Sequence, residues 1–357
     1  MDAIRTAFDL SYDAIKQMVF KLTEKDPQEA HELFTLFCRA LHKSHLEEFF
    51  LDNIANYLHT NVELSNAAGF NKNADIPPTV LKYLGFDRVV FGTITHDPWK
   101  GNPRPTIRRY VETESMVNWM GLPGDGARVV AERIAEYGDY KVPTTINFMS
   151  TPQKQGDKLL KDLEGTILTT RDLPYVDRFE LNISCPNPPI GSNQINTRKK
   201  NIEMLDDMME VTDKNVYSRQ DIFLKVSPDS THADVYDTID IAKVHRINGV
   251  VTTNTTTKHN RKYIHVSPEI DGKQVGGASG GAVYESSLRV QKIYSTKIIR
   301  EKLDWRIIAC GGIKSSERVD ERIDYGATGI QIYTPLIYSG TKLVKELRLY
   351  SSLKQPH

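Results

Sequence analysis

A chain of 357 residues has room for one barrel of alternating strands and helices plus an extension, or for two average domains. Hydrophobic residues at 39% and 46 basic against 46 acidic side chains describe a globular protein with material for a core, and the zero formal net charge gives no overall electrostatic case for nucleic acid. Three cysteines, Cys38, Cys185 and Cys310, are odd in number, far apart and without C-x-x-C spacing, so no disulfide framework, metal site or iron–sulfur site is suggested and a reducing compartment is expected.

From the N-terminus, residues 1–58 read as a helical extension. Ile4, Phe8, Tyr12, Ile15, Val19 and Leu22 recur at three-to-four spacing, the period of one helix face. Asp26 and Pro27 then start a second helix, a side-chain cap ahead of the residue best suited to the first helical position. Ala30, Leu33, Phe34, Phe37, Cys38 and Leu41 are expected on one side of it. So much aromatic and aliphatic surface suits a neighbouring domain, a membrane surface or an apolar ligand. A spanning helix or secretory signal is not expected, so the reading is cytoplasmic, with peripheral contact at the inner face of the cell membrane left open.

From residue 59 the pattern changes to short β-branched or apolar runs, each closing in a polar or glycine turn ahead of helix-like sequence. They are Leu64 to Gly69, Val89 to Thr93, Thr144 to Asn147, Phe179 to Asn182, Ile222 to Lys225, Gly249 to Asn254, Ile307 to Gly312 and Gly329 to Thr334. Eight strands alternating with helices predict an α/β fold, a (β/α)8 TIM barrel over residues 59–357, with its chemistry at the C-terminal strand ends. Lys72, Thr93, Asn147, Asn182, Lys225 and Asn254 stand at those ends. The stretches 94–126 and 255–281 are too long and too rich in Gly, Pro and polar residues for simple turns and read as binding loops.

The segment Leu181-Asn-Ile-Ser-Cys-Pro-Asn-Pro-Pro189 sets a cysteine between two asparagines. Asn182 and Asn187 offer amide donors and acceptors to a planar polar ligand and Cys185 an ionisable thiol, which together make a proton-abstraction site. Read alone, the segment is more simply a strand, a proline-enforced turn and a buried thiol. Cys310-Gly-Gly312, Ile332-Tyr-Thr-Pro335 and the cluster Gly276 to Gly281 let backbone N–H groups approach a phosphate at a helix start, and the last two strands of a barrel frequently bind one. A phosphorylated cofactor is therefore expected. Lys72 and Lys225 end apolar strands, where an ammonium group needs an anion or an electron-rich ring.

The segments Ala67-Ala-Gly-Phe-Asn-Lys72, Gly92-Thr-Ile-Thr95, Gly101-Asn-Pro-Arg-Pro105, Leu181-Asn-Ile-Ser-Cys-Pro-Asn187, Thr253-Asn-Thr-Thr256, Gly276-Gly-Ala-Ser-Gly280 and Gln331-Ile-Tyr-Thr334, in this order, resemble the dihydroorotate dehydrogenases over roughly residues 60–345. The resemblance implies an FMN-bearing barrel that oxidises dihydroorotate to orotate in de novo pyrimidine biosynthesis. It implies that Ala68, Gly69, Lys72, Thr93, Asn147, Asn182, Lys225, Thr253, Ser279, Gly280, Gly311, Gly312, Tyr333 and Thr334 contact FMN. Around the pyrimidine it implies Lys72, Asn118, Gly121, Leu122, Asn182, Asn187, Asn254 and Thr255. Amides pair with the donors and acceptors of a ring imide, and Lys72 balances the substrate carboxylate.

The Asp26-Pro-Gln-Glu-Ala-His31 pattern and the extension itself resemble the class 2 enzymes, which are membrane-associated and pass electrons to a quinone. Cys185, where class 2 enzymes carry serine, and Met120-Gly-Leu-Pro123 resemble the soluble class 1 enzymes instead. The expected chemistry has Cys185 as the base that takes the C5 proton, hydride passing to flavin N5, Lys225 at the N1–C2 edge and Lys72 at the substrate. A quinone is the expected acceptor, with Ile4 and Phe8 lining its entrance. The alternatives are the same reductive half-reaction with fumarate or NAD, or a related FMN barrel acting on another pyrimidine. A non-catalytic flavin-binding protein is disfavoured by Lys72, Cys185 and the asparagines together. Residues 188–202 are expected to form a lid.

Overall fold

The computed structural model describes residues 16–45, 62–184, 198–265 and 276–353. Its strands are β1 (Glu63–Asn66), β2 (Val89–Ile94), β3 (Ile107–Tyr110), β4 (Ser115–Asn118), β5 (Thr144–Phe148), β6 (Val176–Asn182), β7 (Asp221–Val226), β8 (Gly249–Thr252), β9 (Gly277–Gly280), β10 (Arg306–Cys310) and β11 (Ala327–Ile332). Its helices are α1 (Gln28–Ser44), α2 (Pro78–Tyr83), α3 (Ala127–Glu136), α4 (Asp157–Thr170), α5 (Arg198–Asn215), α6 (His232–Ala242), α7 (Tyr284–Glu301), α8 (Ser316–Asp324) and α9 (Thr334–Leu353).

Eight strands pair in parallel in the order β1-β11-β10-β8-β7-β6-β5-β2, and single parallel bridges from Ser65 to Arg88 and from Asn71 to Phe91 bring the two outer strands together. A side chain finishes the seam. Asn66 Nδ2 donates to the Val90 carbonyl at 2.7 Å and its Oδ1 accepts the Val90 N–H at 3.0 Å, so an amide stands in for backbone bonds that an open edge would lack. This is the (β/α)8 barrel that the eight runs predict.

The period of two along each strand separates two environments. On β6, Phe179 and Leu181 join the apolar layer between sheet and helices, while Arg178, Glu180 and Asn182 alternate onto the other face. A smaller cluster of Ala67, Phe223, Val251, Ile308 and Cys310 packs separately from that outer layer. Below it Glu63 accepts from Arg178 at 2.6 Å and from Arg88 at 2.8 Å, and the Arg178 guanidinium lies 4.6 Å from the centre of the Phe223 ring.

The two stretches read as binding loops contain a feature that the sequence reading did not include, an antiparallel sheet in the order β3-β4-β9. Ile107–Tyr110 carries two arginines and Gly277–Gly280 is Gly-Ala-Ser-Gly, so neither has the β-branched alternation that marks a strand.

Residues 16–22 are helical, and Phe20 meets the Tyr338 ring edge-on at 5.8 Å. Arg109 donates to the Phe20 and Thr23 carbonyls at 3.1 and 2.8 Å. The next helix begins at Gln28, one residue later than expected, with Pro27 in the capping position and Asp26 Oδ1 accepting the Gln28 N–H at 3.2 Å. The apolar residues of α1 do not share one side, however. Cys38 and Leu41 are buried and Phe34 packs beside them, while Leu33, Leu36 and Phe37 are 52%, 61% and 44% exposed. Ile4, Phe8, Tyr12, Ile15 and the boundary near residue 58 lie outside the described residues. No described helix is long and apolar enough to cross a membrane.

Candidate active site

The C-terminal strand ends, joined by residues of β4 and β9, enclose a cleft with about 1130 Å³ of empty space, its open mouth included. Of the residues expected at the cofactor, Ala68, Gly69, Lys72, Thr93, Asn182, Lys225, Thr253, Ser279, Gly280, Gly311, Gly312, Tyr333 and Thr334 line it. So do Asn118, Gly121, Leu122, Asn254 and Thr255 from the set expected around the pyrimidine. Asn147 stands behind the wall, fully buried. Cys185, Asn187 and lid residues 188–197 lie outside the described residues, and Arg198 opens α5.

One part of the cleft is backbone. Gly280, Gly311 and Gly312 have φ of 74°, 121° and 66°, in the range that glycine adopts without strain. A Cβ on Gly280 would stand 2.2 Å from the Glu114 carbonyl oxygen, and one on Gly312 2.5 Å from the Gly280 carbonyl oxygen. Beside them α9 begins at Thr334, whose hydroxyl donates to Ser279 Oγ at 2.8 Å. N–H groups of a first helical turn lack intrahelical acceptors and favour an anion.

Another part is built from amides. Asn182 Oδ1 accepts from the Ser184 N–H at 3.2 Å and from Asn254 Nδ2 at 3.3 Å, and Asn254 Oδ1 accepts the Thr255 N–H at 2.8 Å. Asn118 Nδ2 donates to the Gly277 carbonyl at 3.3 Å. These bonds orient the three side chains, whose amide groups match the donors and acceptors of a ring with polar edges. Ser184, the last described residue before Cys185, donates its hydroxyl to the Lys225 carbonyl at 3.0 Å.

A third part joins five strands in a polar network. Lys225 Nζ donates to Gln331 Oε1 at 2.9 Å and lies 3.6 Å from both Cys310 Sγ and Glu180 Oε1. Glu180 accepts from Asn147 Nδ2 at 2.7 Å and from Gln331 Nε2 at 2.9 Å. Burial alone would push the Lys225 ammonium down, but Cys310 and Glu180 outweigh it, and its pKa stands above the ordinary lysine value. The sequence reading selected Lys225 and Asn147 and passed over Glu180, Gln331 and Cys310. The available signal was a lone carboxylate inside the apolar run Phe179-Glu-Leu.

A parallel barrel whose C-terminal strand ends gather glycine backbone, amides and lysines in one cleft has the architecture of a barrel enzyme. The family model described as dihydroorotate dehydrogenase matches residues 52–351. A dihydroorotate dehydrogenase (quinone) of Natronomonas pharaonis is 33% identical over 281 residues, covering 79% of this chain and 75% of that relative. One from Nitratiruptor sp. is 31% identical over 352 residues, covering 95% of this chain and 93% of its own, so the alignment takes in most of the N-terminal extension. The solved DHODH of Eimeria tenella in complex with ferulenol has the same fold, with a TM-score of 0.71 at 23% identity over 91% of this chain and 90% of that one. The chain belongs to the dihydroorotate dehydrogenase family. It is an oxidoreductase of a flavin-dependent family of pyrimidine biosynthesis, and it resembles the class 2 members.

Proposed function

We propose that this chain oxidises dihydroorotate to orotate with FMN in the cleft and passes the electrons to a quinone. The observation that carries the proposal is the meeting of a glycine cradle, a buried lysine and a pocket of amides plus Lys72 in one cleft. The residues fit a flavin phosphate: Gly280, Gly311 and Gly312 line the cleft beside the start of α9, and Gly280 and Gly312 have no space for a Cβ, so the wall there stays free of side chains. They also leave one acceptor open. Asn147 must point Nδ2 at the Glu180 carboxylate, which leaves its buried Oδ1 without a donor among the described residues, an acceptor for a ligand group or water that reaches behind the cleft wall.

FMN, when bound, supplies the hydride acceptor. The rest is the work of side chains. Lys72 pairs with the substrate carboxylate by a charge-assisted bond, and Asn118, Asn182 and Asn254 meet the imide edge. Cys185 removes the C5 proton. A free thiol near pKa 8.5 is only a few per cent ionised at neutral pH, so this role requires N–H donors or a cation near Sγ. Lys225 supports the negative charge that reduction brings to the ring.

A second cleft supports the quinone. It lies between α1 and the barrel, is lined by Gln28, His31, Leu36 and Arg39 on the helix side, and shares Gly69, Lys72, Ile107, Met120 and Tyr333 with the first. Burial holds the His31 imidazole below its ordinary pKa, so it faces this space neutral at pH 7. The exposed Leu33, Leu36 and Phe37 of α1 suit an interfacial helix.

The test is anaerobic mixing of the yellow protein with dihydroorotate, then addition of a quinone, fumarate or NAD. Bleaching followed by recovery with quinone alone is expected. Recovery with fumarate or NAD would overturn the acceptor, and absence of bleaching would overturn the substrate.

A further inference from the structure

The flavin chemistry proposed above uses Lys225 and leaves unexplained why the barrel interior holds a fully buried carboxylate. Glu180 is 0% exposed and Gln331 2%, and a buried ion costs several kcal/mol unless it is paired and hydrogen-bonded. Glu180 meets both conditions. Asn147 Nδ2 and Gln331 Nε2 can only donate, so they occupy one carboxylate oxygen each, and Gln331 is thereby forced to turn Oε1 toward Lys225 Nζ at 2.9 Å. A chain of fixed polarity runs from the carboxylate through one amide to the ammonium.

We infer that Glu180, acting through Gln331, is a positioning residue that keeps Lys225 charged and directed at the bound flavin. The groups facing Lys225 are few. Glu180 comes from β6 and Cys310 from β10, the partners from β5 and β11 are the neutral amides Asn147 and Gln331, and Lys72 lines the same cleft. With Glu180 neutral, a fully buried ammonium keeps a thiol and an amide as its partners among the described residues, and desolvation lowers buried lysines by up to about 3–5 pKa units. Glu180→Gln also sets a new N–H donor against Asn147 or Gln331, so one of those amides must turn over.

The inference rests on the flavin reading, and its test needs no turnover. Sulfite adds to the flavin ring and leaves negative charge on it, so sulfite affinity of the FMN-loaded protein, corrected for sulfite ionisation, reads the positive charge held nearby. On a Cys185→Ala background, so that the proposed base does not titrate beside the flavin, the parent and Glu180→Asp are expected to give a flat profile from pH 6 to 8.5. Glu180→Gln is expected to lose affinity as pH rises, by about tenfold per unit once Lys225 deprotonates. A Glu180→Gln profile parallel to the parent one overturns the inference. So does the same pH-dependent loss in Cys310→Ala, because the thiolate would then be the counter-ion. If Glu180→Gln does not fold, Gln331→Met decides: weaker sulfite binding without pH dependence supports the tether, and parent affinity sinks it. A flavin that binds sulfite but is not bleached by dihydroorotate would remove the proposed substrate and leave this inference to the sulfite profile.

Discussion

Lys72 and Cys185 bear most directly on the proposed chemistry at the level of single residues. Lys72 lines the cleft with Asn118 and Asn254, where a carboxylate bound to it gains a charge-assisted bond of about 1.5–3 kcal/mol. Lys72→Ala is therefore expected to cut kcat/KM for dihydroorotate by about tenfold to a hundredfold, mainly through KM. Steady-state kinetics checks this, and an unchanged KM would take the carboxylate away from Lys72. Cys185→Ala is expected to abolish flavin reduction in stopped flow. Cys185→Ser should retain FMN while its reduction shifts to higher pH, because an alcohol ionises less readily than a thiol. Superimposable profiles for thiol and alcohol would exclude this residue as the base. The cysteine and both lysines could be read from the sequence as conspicuous groups ending or following apolar runs, although β1 closes at Asn66 and Lys72 stands six residues beyond it rather than at the strand end. Glu180 and Gln331 could not, since their meaning depends on two other strands delivering Lys225 and Asn147 to them.

Among the elements, the β1–β2 seam and α1 carry consequences of opposite kinds. Asn66 is fully buried and satisfies both the N–H and the carbonyl of Val90. Asn66→Leu leaves those two groups without partners, so a loss of about 2 kcal/mol or more is expected in urea unfolding. A change below 0.5 kcal/mol would mean that water enters the seam instead. On α1, Leu33, Leu36 and Phe37 are exposed while Cys38 and Leu41 dock. Replacing the exposed three with serine is expected to reduce flotation with liposomes and to leave dihydroorotate bleaching at the native rate. Equal flotation would shift membrane contact away from α1. The helix could be predicted from its period and its Asp26-Pro27 start, but the division of its apolar residues into docked and exposed sets could not. The barrel presents Phe70 to His31 and Phe34, at 5.3 and 5.9 Å, which selects the docked face.

For the whole molecule, the closed end of the barrel couples stability to pH. Burial pushes the Glu63 carboxyl up, yet Arg88 and Arg178 outweigh it and its pKa lies below the ordinary carboxylate value. A depressed carboxylate stabilises the fold above its unfolded pKa, about 4.3, and that contribution is lost as pH falls through the folded value. Glu63→Gln takes from the buried Arg178 guanidinium its carboxylate partner and leaves Arg88 paired with Asp177, and a loss on the order of 3 kcal/mol at pH 7 is expected. The deficit relative to the native protein should shrink below about pH 4 in unfolding curves taken across that range. A deficit independent of pH would point to packing rather than charge.

The sequence by itself determined the barrel, its eight strands and the polar residues at their C-terminal ends, because short β-branched or apolar runs closed by glycine and polar turns are a local property of the chain. Family membership was legible for the same reason, as short motifs in a set order. Only the tertiary structure decided what the barrel interior does with its charges. Glu180, Lys225, Gln331 and Cys310 are far apart in the chain, and their pairing exists only because two pairs of strands, β6-β7 and β10-β11, face one another across the barrel interior. The antiparallel cap of β3, β4 and β9 belongs to the same category, since its glycine-rich and arginine-bearing strands are held by their partners and not by any preference of their own.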